Sequence, residues 1–126
     1  MDKKRPVNLD LGTIALPITS YVSILHRVSG VVMFVAVAVL LWLLESSLAS
    51  ETSFNELSSL FSNPISQVIV WGTLAALAYH SVAGMRHMVM DFGIGEDSFE
   101  AGRLSAWVAL ALAAIVIALI TLWVFL

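Results

Sequence analysis

Residues 65–91 read ISQVIVWGTLAALAYHSVAGMRHMVMD, an apolar run whose last part carries two histidines, an arginine and an aspartate. As a helix, this run is long enough to cross the roughly 30 Å hydrocarbon core of a bilayer. An imidazole within hydrocarbon is costly and needs a compensating partner. His80 lies inside the run, so we treat it both as part of a membrane span and as a candidate functional residue.

Composition places the rest of the chain in the membrane as well. Of the 126 residues, 60% are hydrophobic and only 12% are charged, whereas roughly half of an ordinary soluble domain is apolar. The net charge of −3 and the lack of a Lys/Arg block argue against a nucleic-acid partner. Because there is no cysteine, disulfides and iron–sulfur clusters bound by this chain alone are excluded.

The pattern predicts an all-α membrane protein in which residues 1–126 form a single membrane-anchor domain. Residues 1–16 form its cytoplasmic N-terminal segment, and the transmembrane helices are predicted at about 17–45, 64–90 and 102–126. So short a chain must perform its chemistry in the bilayer or with partners, and we expect the three helices to be part of a heteromeric helical bundle.

Local signals set the ends of these helices. Pro17 suits the first turn of a helix, and Asn63 followed by Pro64 is typical of an N-cap and the first helical position. The serine-rich stretch 45–63 is interpreted as a loop. The acidic stretch 91–102, with its glycines, is interpreted as a short connector.

The basic residues orient the chain. They all lie near one end of the predicted spans: Lys3, Lys4, Arg5, Arg27, Arg86 and Arg103. The positive-inside rule then predicts a cytoplasmic N-terminus, with the first loop and the C-terminus on the periplasmic side. The charged start is not followed by an apolar core and cleavage site, so we favour a multi-pass protein of a bacterial inner membrane.

The depth of His80 suggests a haem ligand. His80 precedes His87 by two helical turns and so lies about 10 Å deeper in the membrane. Haem iron binds a neutral imidazole nitrogen, and haem propionates need cations near the interface, for which His26, Arg27 and Arg86 are candidates. The alternative is that His80 only hydrogen-bonds a neighbouring helix. His26 is expected near the headgroups, so a second ligand from another subunit fits better.

Two further pairs have spacings that suit chemistry. Ser23 and Arg27 are one helical turn apart and can together face the carbonyl oxygens of a quinone headgroup. Alternatively, Arg27 simply reaches the lipid phosphates. His87 is expected near the interface, paired with Asp91 one turn further on.

Two sequence motifs resemble those of one family. The first comprises RPVNLDL (5–11), PIT (17–19) and SILHRVSG (23–30), and the second is His80-x3-Gly84-x-Arg86-His87-x3-Asp91. Together they resemble the N-terminal signature and the haem-ligand motif of the cytochrome b membrane anchor of succinate dehydrogenase, respiratory complex II, of the proteobacterial type. The resemblance extends over nearly the whole chain.

The resemblance implies roles for individual residues. His80 would supply one axial ligand of haem b, and a second small membrane-anchor subunit would supply the other. Ser23 and Arg27 would line the ubiquinone site, and His26 and Arg27 would lie near the haem propionates. Support for the ligand or a proton route to the quinone is implied for a further set: Arg86, His87 and Asp91.

The resemblance also implies the reaction and the partners. Electrons from succinate would pass through the flavoprotein subunit and the iron–sulfur subunit and reduce ubiquinone to ubiquinol at this membrane anchor. The isolated chain is not expected to oxidise succinate. A haem-free structural anchor for soluble subunits is the main alternative. A small transporter or channel component is less favoured, because the spans hold no Asp or Glu at mid-depth.

Overall fold

The computed structural model describes residues 7, 9–10 and 12–126, and these residues form four helices and no strand. The helices are α1 (Ile18–Ala49), α2 (Glu51–Leu60), α3 (Pro64–Asp91) and α4 (Phe99–Phe125). By length and composition α1, α3 and α4 are able to cross a membrane, which confirms the all-α architecture with three membrane spans.

Three of the six basic residues lie outside the described part of the chain. Lys3, Lys4 and Arg5 are not among the described residues, and the same holds for most of the motif at 5–11. The basic residues that the structure does place are Arg27, Arg86 and Arg103.

The start of α3 follows the predicted capping. The Asn63 side chain accepts a hydrogen bond from the Ile65 backbone N–H at 2.8 Å, and Pro64 takes the first helical position. Proline costs nothing there, because the first N–H groups of a helix have no partner within the helix. Pro17 behaves differently from the prediction, since it is the N-cap of α1 rather than part of its first turn.

The interpretation of residues 45–63 as a loop is wrong. The first helix continues to Ala49 and is ended by Ser50, whose backbone is extended at φ −164° and ψ 162°. The Ser50 hydroxyl then accepts a hydrogen bond from the Ser53 N–H at 3.0 Å and starts α2. A serine in this position acts as a helix cap, so a serine-rich segment need not be irregular.

The third span also begins earlier than predicted, at Phe99 rather than at residue 102. The Ser98 hydroxyl caps it by accepting from the Ala101 N–H at 3.1 Å. Gly93 and Gly95 precede the cap with φ values of 77° and 86°. These values are in the left-handed region that glycine adopts without strain, so the chain can reverse direction within a few residues.

Small residues allow the three spans to pack closely. The second long helix, α3, contacts both α1 and α4 along its length. The buried cluster takes one residue from each span and lies toward the end where α1 and α4 begin and α3 ends: Val22, Ala83 and Ala106. On α4 the buried residues are all small: Gly102, Ala106, Ala109 and Ala113. Stripes of this kind let membrane helices approach backbone to backbone.

Polar side chains fix the packing at several depths. The Tyr79 hydroxyl donates to the backbone oxygen of Val22 at 2.8 Å and joins α3 to α1. The Trp71 indole N–H donates to the Thr121 hydroxyl at 2.8 Å and joins α3 to α4 near their other ends. The start of α1, the end of α3 and the start of α4 therefore meet at the same end of the bundle.

Candidate functional site

All three histidines of the chain gather where α1 crosses α3. The rings of His26 and His80 are stacked, with centroids 4.3 Å apart and an interplanar angle of 9°. The ring of His87 also lies against His26, with centroids 5.0 Å apart and an angle of 48°. One histidine of α1 thus bridges two histidines that are two turns apart on α3.

The ring of His26 contacts both His80 and His87, so the structure does not separate His26 from His80 along the bundle as expected. The rings of His26 and His80 meet face to face, so they present ring faces and not ring nitrogens to each other. Within the described part of the chain, no three His, Asp or Glu side chains are grouped to hold a metal ion.

Two glycines make this close arrangement possible. A Cβ atom added at Gly30 of α1 would lie 3.2 Å from Cε1 of His80. A Cβ atom added at Gly84 of α3 would lie 3.3 Å from Nε2 of His26. Each histidine ring therefore rests where the facing helix has no side chain, and the two helices exchange rings reciprocally.

The Nδ1 atom of His80 is engaged by α1. It lies 3.0 Å from the Ser29 hydroxyl oxygen and 3.2 Å from the backbone oxygen of His26. None of the hydrogen bonds among the described residues uses Nε2 of His80. The ring is half-buried, so one nitrogen is held by the protein and the other is left for an external group.

Arg86, a candidate for the haem propionates, uses two of its donors within the chain. Its side chain is buried, its Nε donates to the Ser105 hydroxyl at 3.1 Å, and one terminal nitrogen donates to the Gly102 oxygen at 3.2 Å. The Ser105 hydroxyl in turn lies 3.2 Å from the Gly95 oxygen. Two donors of the guanidinium thus bind the beginning of α4, and the Ser105 hydroxyl extends this network to the connector.

The predicted pairing of His87 with Asp91 is wrong. In the part of the chain that the structure describes, no ion pair or hydrogen bond joins them, and the ring of His87 lies against His26 instead. The exposed Asp91 ends α3. The crossing of α1 over α3 supplies a ring contact that a single-helix spacing rule does not include.

Ser23 and Arg27 lie one turn apart on α1, beside the histidines. Ser23 is half-buried and Arg27 is exposed. Neither side chain makes a hydrogen bond or ion pair with another described residue. A hydroxyl and a guanidinium without internal partners are available to a ligand or a neighbouring subunit at this face.

Comparison with known proteins decides the family. The profile of succinate dehydrogenase/fumarate reductase transmembrane subunits matches residues 1–120. The chain belongs to this family. As a transmembrane subunit of the succinate dehydrogenase type, it is a multi-pass membrane protein and a component of an oxidoreductase complex.

Individual relatives of this transmembrane subunit share its length. A succinate dehydrogenase cytochrome b556 subunit of Coxiella burnetii is 39% identical over 125 residues, which cover 98% of this chain and 99% of the relative. The protein of that name in Paracoccus denitrificans is 30% identical, over 96% of this chain and 92% of its own. In Rickettsia felis the identity is 36%, over 82% and 80% of the two chains.

Sequence reasoning about this transmembrane subunit missed Ser29, Gly30 and Ser105. The first two stand shortly after His26-Arg27, and Ser29 is three residues from His26, a spacing at which a serine can bond a helix carbonyl. That spacing is a usable signal for a polar contact near the histidines. No comparable signal links Ser105 to Arg86, because only the fold brings them together.

Proposed function

We propose that this chain is the haem b-binding membrane anchor of a succinate dehydrogenase, with Nε2 of His80 as one axial ligand. The observation that carries the proposal is the 3.2 Å contact from His80 Nδ1 to the backbone oxygen of His26. A carbonyl oxygen only accepts, so this contact is a hydrogen bond when the ring proton is on Nδ1, and that tautomer has its free lone pair on Nε2. This is the form of histidine that binds a metal, and the cytochrome b556 name of the relatives supports it.

The arrangement around His80 fits a haem shared with another subunit. A haem bound there would supply a one-electron redox centre. The stacked ring of His26 supports a second axial ligand from outside this chain, from a second small membrane-anchor subunit. His26 and Arg27 remain our candidates for the propionates. Arg86 is less suited, since two of its donors are used by α4.

We further propose that Ser23 and Arg27 contribute to a ubiquinone site. Their polar groups have no partner among the described residues and lie one turn apart on α1. A hydroxyl and a guanidinium so placed can donate to a quinone carbonyl oxygen and bind it more strongly as negative charge develops during reduction. The electrons would come from succinate through the flavoprotein subunit and the iron–sulfur subunit, and the product would be ubiquinol.

The haem assignment is tested with the purified complex. His80→Ala removes the ligand, so we expect the b-type band of the reduced-minus-oxidised spectrum to disappear or weaken strongly. Ser81→Ala is the matched control, because Ser81 is the exposed neighbour of His80 on α3, and it should keep the band. A wild-type complex without the band would favour the haem-free structural anchor, and an unchanged band in His80→Ala would refute the ligand assignment.

The quinone assignment is tested with Arg27→Leu. Loss of a hydrogen bond from a charged donor costs about 1.5–3 kcal/mol, which corresponds to a decrease of roughly 10- to 150-fold in quinone reduction. Arg103→Leu is the control, because it removes another exposed arginine at the same end of the bundle. Succinate oxidation with a water-soluble dye should stay normal in both variants. Normal reduction of a short-chain quinone by Arg27→Leu would contradict the proposal.

We propose that the chain lies in a bacterial inner membrane and that the histidine end of the bundle faces the cytoplasm. The described arginines support this orientation, because Arg27, Arg86 and Arg103 all lie at that end. At the opposite end α2 carries Glu51 and Glu56 and no Lys or Arg.

A further inference from the structure

We infer that Ser29 of α1 is a positioning residue for His80, one that fixes the ring proton on Nδ1 and strengthens Nε2 as a donor to metal. The inference rests on the proposed role of His80. It adds a residue that does not touch the cofactor and acts through the histidine alone.

The direction of the hydrogen bonds follows from counting protons. The Ser29 hydroxyl has a single hydrogen, which it donates to the backbone oxygen of His26 at 2.7 Å. Toward His80 Nδ1, 3.0 Å away, the same oxygen can therefore only accept. The His26 oxygen, 3.2 Å from Nδ1, also accepts. With the Ser29 hydrogen on the His26 oxygen, both neighbours of Nδ1 are acceptors, and this arrangement favours a proton on Nδ1.

The setting makes this contact rigid. Among the described residues of α1 only Val22 and Ser29 are buried, and Ser29 is 7% exposed. Ser29 and His26 are held one turn apart by the helix backbone, so the two acceptors keep a fixed spacing. Gly30 beside them leaves room for the ring to approach. A hydrogen bond in such a water-poor place is stronger than one at the surface.

The expected consequence is a more basic ligand. A histidine that donates from one nitrogen becomes a better electron donor at the other, and loss of such a partner costs roughly 10- to 100-fold in metal affinity. The oxidised form of a bound iron gains most from a stronger donor. In Ser29→Ala the His26 oxygen remains as an acceptor, so we expect a loss at the lower end, about tenfold.

The test uses the whole purified complex and two readouts other than activity: the rate of haem loss to a haem-scavenging protein, and the midpoint potential of the b-type band. Ser29→Ala should lose haem about tenfold faster, and its potential should shift to a more positive value. Ser47→Ala is the matched control. Ser47 makes the same type of helix bond, to the Leu44 oxygen at 2.8 Å, without a histidine nearby, so this variant should behave like the unmodified complex.

The outcomes separate this inference from the role of His80. If Ser29→Ala matches Ser47→Ala in both readouts while His80→Ala still loses the band, the inference is overturned and the ligand assignment stands. If His80→Ala keeps the band, the proposed function itself fails. Ser29→Thr restores a hydroxyl and should return the potential toward the original value. A threonine variant that assembles but behaves like alanine would show that packing, not the hydrogen bond, is responsible.

Discussion

Glycines at two positions determine how deeply each histidine ring enters the helix interface. His80 lies over Gly30 and His26 lies over Gly84, at distances that leave no room for a methyl group without movement. Gly72, on the same helix as Gly84, has nothing within 4 Å of an added Cβ. Alanine at Gly72 therefore tests only the backbone freedom of glycine in a helix, whereas alanine at Gly30 or Gly84 also tests the close approach of a histidine ring.

We predict opposite results for Gly30→Ala and Gly72→Ala. An added methyl group at Gly30 would lie 3.2 Å from His80 Cε1, and overpacking of this kind costs about 1–3 kcal/mol. The ring has to move, so the b-type absorption band should shift or weaken. Gly72→Ala should be neutral or stabilising by up to roughly 1 kcal/mol, because alanine favours the helix.

The measurements for these glycine variants are thermal unfolding of the purified complex and its visible spectrum. Equal spectra and equal melting temperatures for Gly30→Ala and Gly72→Ala would show that the ring does not need the space at position 30.

At the scale of elements, Arg86 secures the end of α3 to the beginning of α4. Its two hydrogen bonds reach the Ser105 side chain and the Gly102 backbone at once, which suits the fixed fork of a guanidinium. Through Ser105 the same network reaches Gly95 in the connector. The histidine end of α3 is thereby held against the third span.

Arg86→Lys should lower stability, since a single ammonium group cannot reproduce both hydrogen bonds in the same geometry. Hydrogen bonds to charged groups contribute about 1.5–3 kcal/mol each, so we expect a loss of about 2 kcal/mol. Resistance of the complex to unfolding by a denaturing detergent is the measurement. Arg103→Lys, at an exposed site, should stay within about 0.5 kcal/mol of the original stability. Equal losses of stability in both variants would show that the two Arg86 hydrogen bonds do not stabilise the complex.

Capping explains which helix boundaries the sequence predicts. Asn63 followed by Pro64 is a strong pair of signals, and α3 begins where they indicate. Ser50 and Ser98 are also caps, but a single serine within a serine-rich or acidic stretch is equally typical of a loop. The stacked position of His26 and the partners of Arg86 depend on how helices cross, which spacing along one helix does not encode.

At the scale of the molecule, most of the large apolar side chains among the described residues are exposed. Phe34 in the middle of α1 is 83% exposed, and Trp42 and Trp123 toward the end opposite the histidines are 60% and 77% exposed. In water such a surface would aggregate, whereas lipid tails and partner helices can cover it. On α1, the residues of the haem and quinone sites that we propose are close together: Ser23, His26 and Arg27. We expect other subunits to supply the remaining residues of both sites.

The absence of cysteine makes the proposed orientation directly testable, because each introduced thiol is the only one in the chain. Ser58 in α2 and Asp97 in the connector are both exposed and lie at opposite ends of the bundle. With the described arginines on the cytoplasmic side, Ser58→Cys should react with a membrane-impermeant maleimide in intact cells. Asp97→Cys should react only after the membrane is dissolved in detergent. The reverse pattern would place the histidine end of the bundle in the periplasm and would refute the proposed orientation.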